Sequence, residues 1–140
     1  MDNFFTSGDA VFHNLNRNGF KVTAIMDVDN SICSKYDTVV KNTAREVAEA
    51  SDVVITGLPK PPNVIAAFEG NDGLLAGFKE GSVWIDHSTT DYGQNFKFQE
   101  QMNAKGAQML EAPITGGMEA LRQGQMAVWV AGDQKVFEEV

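Results

Sequence analysis

Met109-Leu110-Glu111-Ala112-Pro113-Ile114-Thr115-Gly116-Gly117 is the stretch on which the fold turns: an apolar run, then a proline, a hydroxyl and two glycines. A β-type run that ends this way brings bare backbone N–H groups and one hydroxyl into the open at a strand end, which is where open parallel sheets bind ligands. Taken alone, the stretch also fits an ordinary strand-to-loop turn, so its neighbours decide.

Upstream, Ser82 to Asp86 reads as a strand followed by the polar run His87-Ser88-Thr89-Thr90-Asp91, and a polar helix is predicted from Asp91 to Ala104, stopped by Lys105-Gly106. Asp52-Val53-Val54-Ile55-Thr56-Gly57-Leu58-Pro59 is a continuous apolar run closed by breakers, which predicts a strand buried on both faces. Pro61-Pro62 then opens a helix through Phe68, where the missing N–H costs nothing, and Gly70 and Gly73 interrupt it. Nearer the start, Ala10, Val11, Asn14 and Leu15 fall at near-helical spacing, with Ser7 or Asp9 available as cap and Gly19 as stop. Lys21 to Met26 predicts a short strand with Asp27 to Ser31 as its turn, and Thr43-Ala44-Arg45-Glu46 has the form of a capping box for a helix that buries Ala44, Val47 and Ala48. After the opening stretch come a short helix near Glu119 to Arg122, a strand from Gln125 to Val130, a Gly132-Asp133 turn and an amphipathic segment to Val140.

Strands alternating with helices at this spacing predict βαβ units, and so an α/β fold with a doubly wound, mostly parallel sheet. The strand tips would put Asp27, Leu58-Pro59, Asp86 with Ser88-Thr89, and Thr115-Gly116-Gly117 on one rim. Asp27 fits a solvated turn as well as a ligand contact, and Asp86 could cap the next helix instead. His13 and His87 have no metal-spaced partner and are not read as ligands or general bases. Met102, Met109 and Met118 are read as core or rim filling.

The bounds agree. A chain of 140 residues is one domain by length and can bury roughly 70% of its unfolded surface. Its composition, 43% hydrophobic and 21% charged, is that of a soluble globular protein. A net charge of −8, from 11 basic and 19 acidic residues, argues against nucleic acid as a partner. The single cysteine, Cys33, makes neither an internal disulfide nor a zinc site, and a reducing intracellular compartment, cytoplasmic or mitochondrial, fits best. Met1-Asp2-Asn3-Phe4-Phe5 lacks the basic residues of a targeting peptide, and no stretch approaches the ~18 apolar residues of a membrane span.

Gly8, Val11, Asn14, Leu15 and Gly19, followed by Val22-Thr23 and Asp27, resemble the glycine-led opening passage of the β-hydroxyacid dehydrogenases, the family of 3-hydroxyisobutyrate dehydrogenase. Leu58-Pro59, Asp86-His87-Ser88-Thr89, Glu111 to Gly117 and Gly124-Gln125-Met126 continue the resemblance in order, across essentially the whole chain from Gly8 onward. The resemblance implies a Rossmann-type, NAD(P)-binding domain of an oxidoreductase that interconverts a small 3-hydroxy acid and its aldehyde acid. It implies that Gly8 is the last glycine of the dinucleotide fingerprint and that Asp27 takes the adenosine ribose hydroxyls. Leu58 and Pro59 would border the path toward the nicotinamide, and Thr89 would lie against the nicotinamide ribose. Thr115, Gly116 and Gly117 would hold the substrate carboxylate through a hydroxyl and backbone N–H groups. Thr115 stands where the family usually has serine, which adds a methyl to the acid's surroundings. Asp27 followed by Val28, not arginine, implies NAD over NADP, with Lys21 and Lys35 the basic residues that could fold nearby.

Two departures from the family shape the expectation. The first two fingerprint glycines are replaced by Asn3 and Phe5, and only Met1-Asp2 remain to supply the preceding strand, so the sheet is expected to lack its first, central strand. That would leave backbone donors and acceptors on both neighbours at ~1–3 kcal/mol each if buried, and an N-terminus altered by alternative start or splicing is expected. The family's general acid/base lysine lies in an all-helical C-terminal domain that also carries the homo-oligomer contacts, and the sequence ends at Val140 before it. Lys135 does not match the lysine motif. Losing such a group costs ~10²–10⁴ in rate, so the chain alone is expected to bind NAD weakly and to be inactive. Two other classes stand beside this one. A non-catalytic binding or partner module is one. The other is a phosphoacceptor receiver domain, which would need paired acids after its first strand and Mg²⁺, and this sequence has no such pair there.

Overall fold

A computed structural model of the chain describes residues 7–140. Helix α1 (Ser7–Arg17) leads into β1 (Ala24–Ile25), the single-turn α2 (Asn30–Cys33), β2 (Val39–Val40) and α3 (Ala44–Glu49). The middle of the chain forms β3 (Val53–Thr56), α4 (Pro61–Phe68), α5 (Leu74–Gly77), β4 (Val83–Asp86), α6 (Tyr92–Ala104) and β5 (Gln108–Glu111). It closes with β6 (Ile114–Thr115), α7 (Gly117–Gln123), β7 (Ala127–Val128) and α8 (Gln134–Glu139).

Strands β3, β4 and β5 lie side by side in that order and run parallel, because helices between them carry the chain back to the same end. Thr56, Asp86 and Glu111 stand level across the sheet, so the three strands deliver their following loops to one edge. Strands β1 and β2 pair in parallel as a separate sheet, and among the described residues no strand joins β1 to β3. The residues considered for a first strand and fingerprint, Met1-Asp2 with Asn3 and Phe5, lie outside the described residues. The α/β class and mostly parallel sheet are as the sequence predicts. The exception is at the end, where β6 and β7 pair antiparallel and Glu111 bridges Ala131 in the same sense.

The core packs on the β3–β5 sheet. Trp84, Phe68 and Phe98 are fully buried, with Phe68 stacked on Trp84 at 4.8 Å and tilted against Phe98 at 4.5 Å. Burying each such ring is worth about 1.5–3 kcal/mol, which makes this trio the anchor for the strands that carry the site. Asn95, Phe98 and Met102 recur at helical spacing and form the buried face of α6. Thr43 caps α3 by accepting the Glu46 N–H at 3.1 Å, and Ala48 is buried beneath it, as the capping box predicts. Helices α3 and α5 cross at Gly77, where a Cβ would stand 2.2 Å from the Arg45 carbonyl oxygen.

Several expectations need correction. Only Val54 of β3 is buried, and Val53 is 40% exposed, because β3 has a described neighbour on one side only. The strands expected at Lys21 to Met26 and Gln125 to Val130 shrink to two residues each, since each finds only a two-residue partner. Asp9 does not stand ahead of α1 as a cap; it lies within the helix and accepts the Tyr36 phenol from across the domain. Asp91, not Asp86, caps α6, with its carboxylate taking the Gly93 N–H at 2.9 Å.

Candidate functional site

Three loops leave the sheet edge and, with the first described turn of α1, enclose a cavity of about 300 Å³, at the small end of the ~300–1,000 Å³ usual for ligand sites. Leu58 and Pro59 follow β3, His87 to Thr89 follow β4, and Ile114, Thr115 and Gly117 follow β5. Ser7, at the start of α1, closes a further side, with its Oγ 3.8 Å from where a Cβ on Gly57 would stand. Met118 and Leu121 of α7, with Met126, supply apolar surface.

A chain of hydrogen bonds holds this edge in place. The Trp84 indole N–H donates to Thr56 Oγ1 at 2.8 Å, and the Thr56 hydroxyl donates to Asp86 Oδ1 at 2.7 Å. The same carboxylate oxygen accepts the Ser88 N–H at 3.0 Å, and Ser88 Oγ accepts the Leu58 N–H at 2.8 Å. Asp86 is 1% exposed, so it works as a buried brace between the two loops and neither faces a ligand nor caps a helix. His87 is pinned at both ends. Its N–H donates to the Thr56 carbonyl at 2.8 Å, and its ring Nδ1 lies 2.7 Å from the Ala112 carbonyl oxygen. A carbonyl only accepts, so Nδ1 carries a proton in this bond.

Gly116 takes φ +123°, a conformation open to glycine, and turns β6 into α7 so that Gly117 starts the helix at the cavity wall. The described cavity lining therefore combines hydroxyls from Ser7, Thr89 and Thr115 with apolar side chains, and among the described residues no Asp, Glu, Lys or Arg lines it. Such a lining suits a flat, weakly polar ring beside a small anion bound by neutral donors.

The structure brings five of the sequence candidates into one cavity: Leu58, Pro59, Thr89, Thr115 and Gly117. Gly116 stands just behind as the helix cap. Gly8 is exposed in the first turn of α1, next to the lining residue Ser7. Asp27 lies apart from the cavity, half-buried after β1, with its carboxylate accepting the Asp29 N–H at 2.9 Å. Around it, Asp29 has a carboxyl pKa lowered chiefly by Ser31, with Lys35 contributing, and burial raises the thiol pKa of Cys33, which sits against the Asp27 backbone. Ser88 lines the cavity from the rim on which the sequence places it, whereas Ser7, Met126 and His87 line it without a binding role read from the sequence. The signal available for His87 was its place inside the Asp86-His87-Ser88-Thr89 motif. Among the described residues no cluster of side chains could hold a metal ion, and no helix is long and apolar enough to cross a membrane.

The sequence family described as the NAD binding domain of 6-phosphogluconate dehydrogenase matches residues 6–140. The mitochondrial 3-hydroxyisobutyrate dehydrogenase of Mus musculus is 31% identical over 133 residues, covering 93% of this chain and 39% of that protein. The 2-hydroxy-3-oxopropionate reductase of Escherichia coli (strain K12) is 34% identical over 129 residues, 91% of this chain and 44% of that one. The solved structure of Mycobacterium tuberculosis 3-hydroxyisobutyrate dehydrogenase with L-serine superposes with a TM-score of 0.84 at 26% identity, over 95% of this chain and 45% of that one. The chain thus spans less than half the length of each of these relatives.

Proposed function

Because the chain belongs to the family of the NAD binding domain of 6-phosphogluconate dehydrogenase, we propose that it forms the cofactor-binding part of a 3-hydroxyisobutyrate dehydrogenase-like oxidoreductase. The single observation that carries this reading is the convergence of Leu58, Pro59, Thr89, Thr115 and Gly117 on one cavity at the carboxyl ends of parallel strands. The bound nicotinamide would supply the hydride acceptor for a small 3-hydroxy acid. Within the cavity, Leu58 and Pro59 offer apolar surface to the ring, and Thr89 offers a hydroxyl to the adjoining ribose. The Thr115 hydroxyl and the N–H groups at Gly116 and Gly117 offer short neutral donors to the acid's carboxylate. At the far end, Gly8 opens α1 toward the pyrophosphate and Asp27 accepts from the adenosine ribose.

NAD is favoured over NADP. A 2′-phosphate near Asp27 would meet a second carboxylate at Asp29, while Val28, 94% exposed, stands where a guanidinium would be needed. Lys35, whose charge contributes to lowering the Asp29 pKa, is the basic residue near this turn that weighs the other way.

Among the described residues no lysine lines the cavity, so the 140-residue chain by itself is proposed to be inactive. Titrating the chain with NADH while following nicotinamide fluorescence, then assaying it with NAD and small 3-hydroxy acids, tests both parts. Saturable binding without turnover is expected. Absence of binding overturns the cofactor assignment, and steady turnover overturns the inactivity.

A further inference from the structure

We infer that Asn14 is a positioning residue that locks α1 to α7 and so sets the separation of the two helix starts that face the cavity; its consequence for binding rests on the function proposed above. Asn14 is half-buried on α1, and its side-chain amide donates to the Leu121 carbonyl at 2.6 Å, across 107 positions of sequence. Leu121 lies in the last turn of α7, where carbonyls have no partner within the helix. The same carbonyl accepts the Gly124 N–H at 3.1 Å, so helix cap and cross-helix tie share one oxygen.

Gly124 makes that sharing possible. It takes φ +69°, and a Cβ there would stand 3.2 Å from Asn14 Oδ1 and 3.7 Å from its Cγ. The glycine thus closes α7 and leaves room for the amide in one step. Asn14 in the opening motif and Gly124 near the end are therefore two sides of one joint. The joint sits behind the cavity: Ser7 at the start of α1, and Gly117, Met118 and Leu121 along α7, all line it. An error of tilt between the helices would move Ser7-Gly8 relative to Gly117, the groups proposed to face pyrophosphate and carboxylate.

The test uses the full 140-residue chain with Asn14→Leu and Asn14→Asp, the second replacing a donor by an acceptor-only group opposite a carbonyl. In ligand-free amide spectra, the signals of Ser7, Gly8, Gly117 and Met118 are expected to shift while those of Val54, Ile85 and Leu110 hold still. NADH affinity is expected to fall about fivefold, the loss of one ordinary hydrogen bond's worth of alignment. Cavity signals that stay in place, shifts spread equally into β3 to β5, or unchanged affinity in a wild type that binds would each overturn the inference. If neither variant folds, Gly124→Ala perturbs the joint from the other side and the same signals are read; failure of all three to fold also counts against a local positioning role. Should the wild type bind no NADH, the proposed function fails, and the ligand-free spectra still decide the role of Asn14.

Discussion

The Thr56 hydroxyl donates to the buried Asp86 carboxylate at 2.7 Å while accepting the Trp84 indole N–H at 2.8 Å, so one side chain ties the aromatic core to the sheet edge that lines the cavity. Thr56→Val keeps the shape and removes both bonds. Stability is expected to drop by about 1–3 kcal/mol, since an indole donor and a carboxylate both lose a partner. Chemical denaturation measures the drop. NADH affinity should fall with it, because Ser88 and Leu58 are held through the same carboxylate.

The two glycines after Thr115 are expected to differ. At Gly116 a Cβ would meet Ala120 Cβ at 3.2 Å and the backbone carries φ +123°, whereas at Gly117 (φ +75°) nothing lies within 4 Å. Gly117→Ala should cost only backbone strain, about 1–2 kcal/mol. Gly116→Ala adds a contact to that strain and should be the more damaging in a thermal melt.

Tyr36 makes stability fall at alkaline pH. Burial first, then the Asp9 carboxylate that accepts its hydroxyl, raises the phenol's pKa well above its usual value. A folded pKa above the unfolded one means the contribution is complete below about pH 10 and fades as pH rises beyond it. Denaturation midpoints of the wild type should therefore fall faster above pH 10 than those of Tyr36→Phe, and parallel curves would contradict this.

Cys33 is 2% exposed, and burial raises its thiol pKa. A thiol both buried and protonated reacts slowly. An aromatic disulfide reagent at neutral pH should label it at the rate of unfolding, and immediate labelling of the native chain would show that the Asp27 turn opens.

How much of this was legible in the sequence follows from the range of the interactions. Capping at Thr43, the proline start of α4, and the strands centred on Val54, Ile85 and Leu110 are local signals, and they read correctly. The tips of β3, β4 and β5 align because parallel crossovers leave little choice. Pairing of β6 with β7 was not legible, since two residues on each side carry no periodic signal and the partners are distant in sequence. The role of Asp86 is hidden for a related reason: a carboxylate at a strand end looks the same in sequence whether it meets solvent or, as here, a threonine hydroxyl 30 residues away. Asn14 stood in a motif with no role assigned, because its partner Leu121 lies 107 residues on.

The most direct test of the central claim, that these strand tips form one dinucleotide edge, is a titration of the isotope-labelled chain with NAD⁺ followed amide by amide. The amides of Gly8, Asp27, Leu58, Thr89 and Gly117 should move together along one binding curve, with NADP⁺ about tenfold weaker, a difference of ~1.4 kcal/mol. Shifts scattered away from this edge, separate curves for Asp27 and Gly117, or no response to either dinucleotide would contradict it.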